Sequence, residues 1–341
     1  MNLINRIKNT LYSWHIFSIT YNLIKTYFLK NFYNIFPKLK YLKDKKLCTI
    51  NNVSGINWLW YSIWDFRITK FIEKRNINPH NINIDFFSVF WPKNCINYSK
   101  EIKIFFTWED ISQSSLLLYK WYDNYLLDRT NLSIGFKDFK KDNYIRFPLR
   151  IMQLIDPRMS DDDIIKRIED INNRQIIKKK KKFCSLVARH DISWKREIVY
   201  NQLKELWRID CPSYFKHNID VNLPDWEAKR KFISEYRYNI CLENNLSEWY
   251  VTEKLIDALL AKTIPIYYWL LNDFDKSIIN EKAFIYADDQ LFNKIKELES
   301  DKTKYNEMLM IKPLKENAAN IIIQHLNLLE NKLKYILNNE N

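Results

Sequence analysis

Short apolar runs alternate with polar loops through the first half of the chain. The runs cover residues 84–90, 102–108 and 132–136. Runs that are rich in Ile and Phe and are bounded by Asn, Lys and Asp are typical of buried strands. We therefore predict an α/β domain in this part of the chain.

In the second half, apolar runs of strand length alternate with longer amphipathic segments. We predict strands over residues 183–188, 238–242 and 264–269, helices over residues 195–207 and 250–261, and a closing amphipathic helix over residues 321–336. Strands that alternate with helices are typical of a parallel, Rossmann-like sheet. The expected fold class is therefore α/β in both halves.

Glycine is scarce, and this scarcity excludes two phosphate-binding motifs. The 341 residues include only two glycines, Gly55 and Gly135, which lie far apart. A Walker loop or a G-x-G-x-x-G turn needs glycines a few positions apart. If the protein binds a nucleotide, Arg, Lys and helix N-termini have to hold its phosphates.

The five cysteines favour neither a zinc site nor a disulfide framework, because no C-x-x-C pair occurs among them. We expect them to be reduced.

A metal motif of the D-x-D type is formally present at Asp161 and Asp163. Three acids in a first helical turn after Ser160 are better explained by helix capping and the helix dipole, so we predict no metal site there.

The net charge of +13 is spread along the chain, with dense basic runs at residues 38–46 and 178–182. Neither run has the interleaved aromatics of a nucleic-acid groove, so no nucleic-acid partner is expected. A solvated linker and peripheral contact with anionic lipid remain open for these runs.

Polar residues interrupt the apolar segment 11–36 before it reaches membrane-spanning length. An interfacial helix and a helix packed in the core remain as the two interpretations of this segment. The expected location is cytoplasmic or peripheral to a membrane, without a clear signal peptide.

Polar residues that follow the strands of the second half are candidates for binding an anion, because ligands of open α/β sheets lie beyond the carboxyl ends of the strands. Glu253 and Lys254 fall in the first turn of one helix, and Arg196 falls in the first turn of another. An arginine and a lysine from adjacent turns can converge on a diphosphate. A first-turn acid beside a surface lysine is the alternative for Glu253 and Lys254.

One acid of the first half follows a hydrophobic strand directly. Glu109 comes after the run 104–108, at a position that faces a cleft between the two halves. A carboxylate there is a candidate general base. An exposed loop acid without a catalytic role is the alternative.

Three segments of the second half form a specific pattern, namely 238–244 (YNICLEN), 250–258 (YVTEKLIDA) and 263–267 (TIPIY). In these segments the chain resembles the α1,3/α1,4-fucosyltransferases of glycosyltransferase family ten, and the spacing agrees without a gap. Weaker matches occur at 106–109, 134–136, 144–149 and 183–188, followed by Arg196 and Tyr200. Together these segments cover roughly residues 84–290.

The resemblance implies a GT-B fold, in which two Rossmann-like domains face each other across a cleft. It also implies inverting transfer of fucose from GDP-fucose to a hydroxyl of an acceptor glycan, in α1,3 or α1,4 linkage to a GlcNAc-type sugar, without a metal or other cofactor. Glu109 resembles the catalytic base, and Arg196 and Lys254 resemble the diphosphate ligands. Asn244, Tyr250 and Glu253 resemble further donor contacts, and Glu253 is also a candidate catalytic residue that supports the cationic sugar.

The expected domain organisation follows from these patterns. It comprises a basic aromatic segment at 1–46, an acceptor-side domain at 47–155, a helix and basic linker at 156–182, a nucleotide-sugar-binding domain at 183–312 and a C-terminal helix at 313–341.

Three positions depart from the family pattern. Asn245 stands where Ser is usual, Asp110 follows Glu109 where Asn or Ser is commoner, and the glycine expected after the Pro-Ile-Tyr strand is missing from residues 267–270. Two alternative functions therefore remain, a transferase for another nucleotide sugar and a non-catalytic basic protein that binds membrane or nucleic acid.

Overall fold

The computed structural model describes residues 56–58, 65–89, 93–111, 122–173, 180–191, 194–244, 247, 249–268 and 271–339. The predicted N-terminal segment 1–46 lies outside these residues. So do Asn245, Trp269 and Leu270, which belong to the departures from the family pattern.

Two parallel five-stranded sheets form the framework of the described chain. The first sheet follows chain order and consists of β1 (Ile56–Trp58), β2 (Ile84–Phe87), β3 (Ile102–Phe106), β4 (Leu132–Gly135) and β5 (Tyr144–Arg146). The second sheet has the order β10-β9-β8-β6-β7 and consists of β6 (Lys182–Ser185), β7 (Ile209–Asp210), β8 (Tyr236–Ile240), β9 (Ile264–Tyr267) and β10 (Ile285–Tyr286). The predicted α/β class with parallel sheets in both halves is confirmed.

Helices connect the strands and cover the sheets. They are α1 (Asp65–Lys74), α2 (Leu149–Leu154), α3 (Asp161–Asn172), α4 (Lys195–Leu203), α5 (Trp226–Ile233), α6 (Glu253–Leu260), α7 (Asp273–Ile278), α8 (Leu291–Ser300), α9 (Lys302–Met310) and α10 (Ala318–Asn339). Short 3-10 helices cover Lys93–Tyr98 and Glu281–Ala283. None of the described helices is long and apolar enough to cross a membrane.

Two predicted helices are longer than the observed ones. The helix predicted over residues 250–261 begins at Glu253, because Thr252 has the extended backbone of an N-cap residue. The helix predicted over residues 195–207 ends at Leu203. The chain then forms a tighter turn, in which the Leu206 amide donates to the Leu203 carbonyl at 3.0 Å. The first correction places Glu253 and Lys254 at the very start of α6.

The acidic run at the start of α3 caps the helix, as predicted. The Ser160 side chain accepts a hydrogen bond from the Asp163 amide, and the Asp163 carboxylate accepts one from the Ser160 amide. This reciprocal pair is a capping box, which satisfies backbone donors that have no partner within the helix. Asp161 pairs at 3.0 Å with Arg75, the residue that directly follows α1.

A single apolar cluster joins the two halves. It contains Phe147 and Ile151 from the first half, Leu255 and Ile256 of α6, and Leu329 of the closing helix, all of them buried. Helix α2 packs on α6, and α10 packs on both α3 and α7. The carboxyl edges of the two sheets are therefore held at fixed positions on either side of a crevice.

Candidate active site

Two loops at the carboxyl edge of the second sheet carry most of the predicted site residues. The β6–α4 loop (residues 186–194) leads to Arg196, and the β8–α6 loop (residues 241–252) leads to Glu253 and Lys254. Strands β6 and β8 are hydrogen-bonded neighbours, so the two loops lie side by side. The structure thus brings the predicted cations to one edge of the sheet.

Arg196 ties the two loops together. Its side chain is buried, and its guanidinium donates to the His190 carbonyl, to the Leu242 carbonyl at 2.7 Å and to Asn244 Oδ1 at 2.8 Å. Burial lowers the pKa of Arg196, whereas the charge of Glu243 raises it. Arg196 and Asn244, which were predicted separately as ligands, therefore form one hydrogen-bonded unit.

Glu243 is the centre of a buried polar network. Its carboxylate accepts hydrogen bonds from the Thr252 amide at 2.8 Å, the Thr252 hydroxyl at 2.6 Å, Lys254 Nζ at 3.2 Å and the Tyr267 hydroxyl at 3.3 Å. The Thr252 amide lies at the N-terminus of α6, where backbone donors need an external acceptor. Glu243 therefore closes the base of the β8–α6 loop onto the first turn of α6.

The Lys254 ammonium lies between two carboxylates. It contacts Glu243 and Glu253 at 3.2 Å each and the Thr252 hydroxyl at 3.0 Å. Burial alone would lower the pKa of Lys254, but the charges of Glu243 and Glu253 raise it above its ordinary value. Burial likewise opposes ionisation of Glu253, but Lys254 and Lys229 hold its pKa below the ordinary value. Both Lys254 and Glu253 are therefore charged at neutral pH.

Both loops contain a tryptophan in the left-handed backbone region. Trp194, directly before α4, has φ = 61°, and Trp249, directly before Tyr250, has φ = 74°. A bulky residue at positive φ is unusual and costs conformational energy. Positive φ values also occur at six other non-glycine residues of the described chain, among them Tyr125 and Leu126, so this feature does not by itself mark the site.

Glu109 lies on the first-domain side of the crevice, in the loop after β3. The Glu109 amide donates to the Thr107 hydroxyl at 3.0 Å, which fixes the turn. The Glu109 side chain is exposed, as in the alternative of a loop acid, but the protein around its carboxyl still desolvates it and raises its pKa. Lys254 opposes that rise in pKa, and Glu253 adds to it, so these groups of the second domain lie within electrostatic range of Glu109.

Tyr250 packs against the first domain. Its ring makes an edge contact with Phe136, at a centroid distance of 5.1 Å, and its side chain is buried. Burial raises the pKa of the Tyr250 hydroxyl well above the ordinary value, and the charge of Glu109 adds to the rise. Tyr250 therefore stays neutral and lies close to both Glu109 and Glu253.

The structure thus collects all six predicted residues around one crevice, namely Glu109, Arg196, Asn244, Tyr250, Glu253 and Lys254.

Sequence reasoning missed Glu243 as a site residue, although a carboxylate directly after a buried strand is the signal used for Glu109. Ser247 and its contact with Asp110 were also missed, and no local pattern indicates that contact. Within the described residues, no group of three or more His, Cys, Asp or Glu side chains is arranged to hold a metal ion.

Part of the chain is similar in sequence to known fucosyltransferases. Residues 176–318 match the sequence model described as glycosyltransferase family 10 (fucosyltransferase), C-terminal part. The chain is 33% identical over 139 residues to the alpha-(1,3)-fucosyltransferase FucT of Helicobacter pylori, which is 40% of this chain. The matching segment spans only 28% of that relative.

Solved structures show the same fold. A crystal structure of alpha1,3-fucosyltransferase with GDP superposes with a TM-score of 0.52 at 20% identity, covering 80% of this chain and 88% of that one. A second, with GDP-fucose, superposes with a TM-score of 0.51 at 20% identity, covering 81% of this chain and 89% of that one. The two sheets and the crevice between them thus form a GT-B fold. Within that class, residues 176–318 match the family 10 model, which agrees with the resemblance.

The Glu243 network predicts a specific loss of stability. Glu243→Gln should lower the free energy of unfolding by about 1.5 to 3 kcal/mol, since it removes charged hydrogen bonds in a buried site. The measurement is urea unfolding followed by circular dichroism. Glu235→Gln is the control, because Glu235 pairs with Lys182 on the surface, where both side chains are about half exposed and an ion pair contributes about 1 kcal/mol or less. Equal losses in the two variants would contradict the central role of Glu243.

Proposed function

We propose that the protein transfers L-fucose from GDP-fucose to a hydroxyl of an acceptor glycan, with inversion at the anomeric carbon. The observation that carries this proposal is that Glu109 of the first domain lies within electrostatic range of Glu253 and Lys254, which belong to a segment that matches the family 10 model. A general base in the first domain and two cations in the second suit a reaction in which an acceptor hydroxyl displaces a diphosphate.

The donor diphosphate is assigned to Arg196 and Lys254. With a single glycine, Gly135, in the described residues, backbone amides alone do not form a glycine-rich cradle. Lys254 has three N–H donors, and in the structure they contact Glu243, Glu253 and Thr252. A diphosphate that binds Lys254 would replace the Glu253 carboxylate there. The freed carboxylate would then be available to the cationic sugar.

The reaction follows from the bond that breaks. The bond between the anomeric carbon and the β-phosphate oxygen breaks, and GDP leaves with the bonding electrons. Arg196 and Lys254 stabilise that developing charge. The acceptor oxygen attacks from the opposite face, and Glu109 accepts its proton. Glu253 supports the oxocarbenium character of the sugar, and Tyr250 and Asn244 complete the donor contacts.

The finer assignments rest on the resemblance to family 10. They are an α1,3 or α1,4 linkage to a GlcNAc-type sugar, and transfer that needs no metal because two cations already stabilise the leaving diphosphate. Peripheral contact with anionic lipid through the basic runs belongs to the same proposal. One of these runs, residues 38–46, lies outside the described residues.

The nucleotide preference tests the donor assignment. GDP and GDP-fucose should raise the melting temperature in a thermal-shift assay with EDTA present, whereas UDP and UDP-sugars should not, because a ligand that binds only the folded state stabilises it. Equal stabilisation by UDP would favour a transferase for another nucleotide sugar. A shift that appears only with added manganese would contradict metal-independent donor binding.

The assignment of Lys254 predicts weaker nucleotide binding in Lys254→Ala. The affinity for GDP should fall about tenfold to a hundredfold, as for loss of a hydrogen bond between charged groups. Isothermal titration calorimetry measures this change. Lys231→Ala is the control, since Lys231 is exposed on α5. Unchanged affinity in Lys254→Ala would place the phosphates elsewhere.

The role of Glu109 as the base predicts a loss of rate without a loss of donor binding. Glu109→Gln keeps the side-chain shape and removes the proton acceptor, so kcat should fall about a hundredfold to ten-thousandfold. The dissociation constant for GDP-fucose should change little. Asp138→Asn, at an exposed acid of the same domain, is the control. A folded Glu109→Gln variant that transfers fucose at close to the wild-type rate would exclude Glu109 as the base.

A further inference from the structure

A buried hydrogen bond joins the loop of the proposed base to the β8–α6 loop. The Ser247 hydroxyl donates to the Asp110 carboxylate, and both side chains are buried, with exposed fractions of 2% and 3%. Asp110 directly follows Glu109, and Ser247 lies between Asn244 and Tyr250. The bond therefore links the two loops on which the reacting groups are placed.

Two further contacts hold the β8–α6 loop against the first domain. The ring of Tyr250 packs on Phe136 at 5.1 Å, and the guanidinium of Arg146 lies over the ring of Trp249 at 5.0 Å. The base of the loop is closed by Glu243, through Thr252. The described part of the loop is thus held at its base by Glu243 and contacts the first domain at Ser247, Trp249 and Tyr250.

Of these three contacts between the β8–α6 loop and the first domain, the bond from Ser247 to Asp110 is the one beside Glu109. It is also the one in which the first domain supplies a carboxylate. Arg146 is the last residue of β5 and Phe136 directly follows β4, so both lie on other parts of the first sheet. Glu109 is faced by Lys254 and Glu253 at the start of α6, by Tyr250 in the β8–α6 loop and by Asp110 in its own loop. Desolvation is the largest cause of the raised pKa of Glu109, and the carboxylate of Asp110 adds to it.

We propose that Asp110 is a positioning residue, whose carboxylate holds Ser247 and thereby fixes the distance between the general base and the donor-binding loop. The catalytic part of this inference rests on the proposed function, whereas the bond between the loops does not. Asp110 occupies a position where Asn or Ser is commoner in the family that the chain resembles. The carboxylate supplies a stronger acceptor than either of those residues, because a hydrogen bond to an ionised group is roughly twice as strong as a neutral one.

The kinetic test compares four variants with the wild type. Asp110→Ala and Ser247→Ala should each lower kcat/KM at least tenfold, and the double variant should be no slower than Asp110→Ala, because both changes remove the same bond. Asp110→Asn keeps an acceptor of the same size and should retain most of the activity. Losses that multiply in the double variant would overturn the proposal.

The pH profile separates positioning from a merely structural role. A base whose pKa is raised loses activity as the pH falls through that pKa, so the acid limb of kcat/KM against pH reports Glu109. Asp110→Asn removes a neighbouring negative charge and should move this limb to lower pH. Ser247→Ala leaves the charge in place and should lower the rate without that displacement. An acid limb that is unmoved in Asp110→Asn would overturn the assignment of Asp110 beside the base.

A measurement without turnover distinguishes failure of this inference from failure of the proposed function. In urea unfolding, the effects of Asp110→Ala and Ser247→Ala should be coupled, so that the double variant loses less stability than the sum of the single variants. A wild type that transfers no fucose, combined with coupled unfolding, would refute the function and leave the bond between the loops in place. Additive unfolding in an active enzyme would overturn the bond itself.

Discussion

The candidate site depends on the buried carboxylate of Glu243, which needs hydrogen-bond donors and a positive charge beside it. Glu243 is almost fully buried, and an ionised carboxylate in such a place is costly unless it is paired and hydrogen-bonded. Its partners are the backbone and hydroxyl of Thr252, the ammonium of Lys254 and the hydroxyl of Tyr267. The requirement to satisfy this one group sets the start of α6 and places Lys254 in the crevice. Lys254 in turn holds Glu253 beside it.

The scarcity of glycine explains why the site is built from charged side chains. A glycine-rich phosphate loop lets backbone amides approach an anion closely, and this chain has no such segment among its 341 residues. In the proposed function, Arg196 and Lys254 take the place of those amides. Each is held by acceptors of the protein itself, so internal bonds keep the cations in position. A diphosphate bound as we propose would compete with those bonds for the same donors.

Local patterns predicted the frame of the molecule and the two loops of the second domain that bring Arg196 and Lys254 to one edge of the sheet. Parallel strands, the Ser160 capping box and the converging cations follow from alternation, first-turn acids and strand-to-helix turns. The start of α6 was predicted three residues too early, because the Glu243 contact that makes Thr252 an N-cap joins residues nine positions apart. The bond between Asp110 and Ser247 spans 137 residues and leaves no local signal. Contacts that depend on how the two domains face each other are beyond the reach of local patterns.

The central claim is that the β6–α4 loop and the β8–α6 loop hold a guanine nucleotide. The β8–α6 loop is also tied to the first domain. Hydrogen–deuterium exchange of the backbone amides, with and without saturating GDP, tests it most directly. The account predicts slower exchange in residues 189–197 and 241–255, and also in residues 107–111 of the first domain. Slower exchange confined to another surface, such as the groove between α3 and α10 lined by Ile165 and Glu316, would contradict the account.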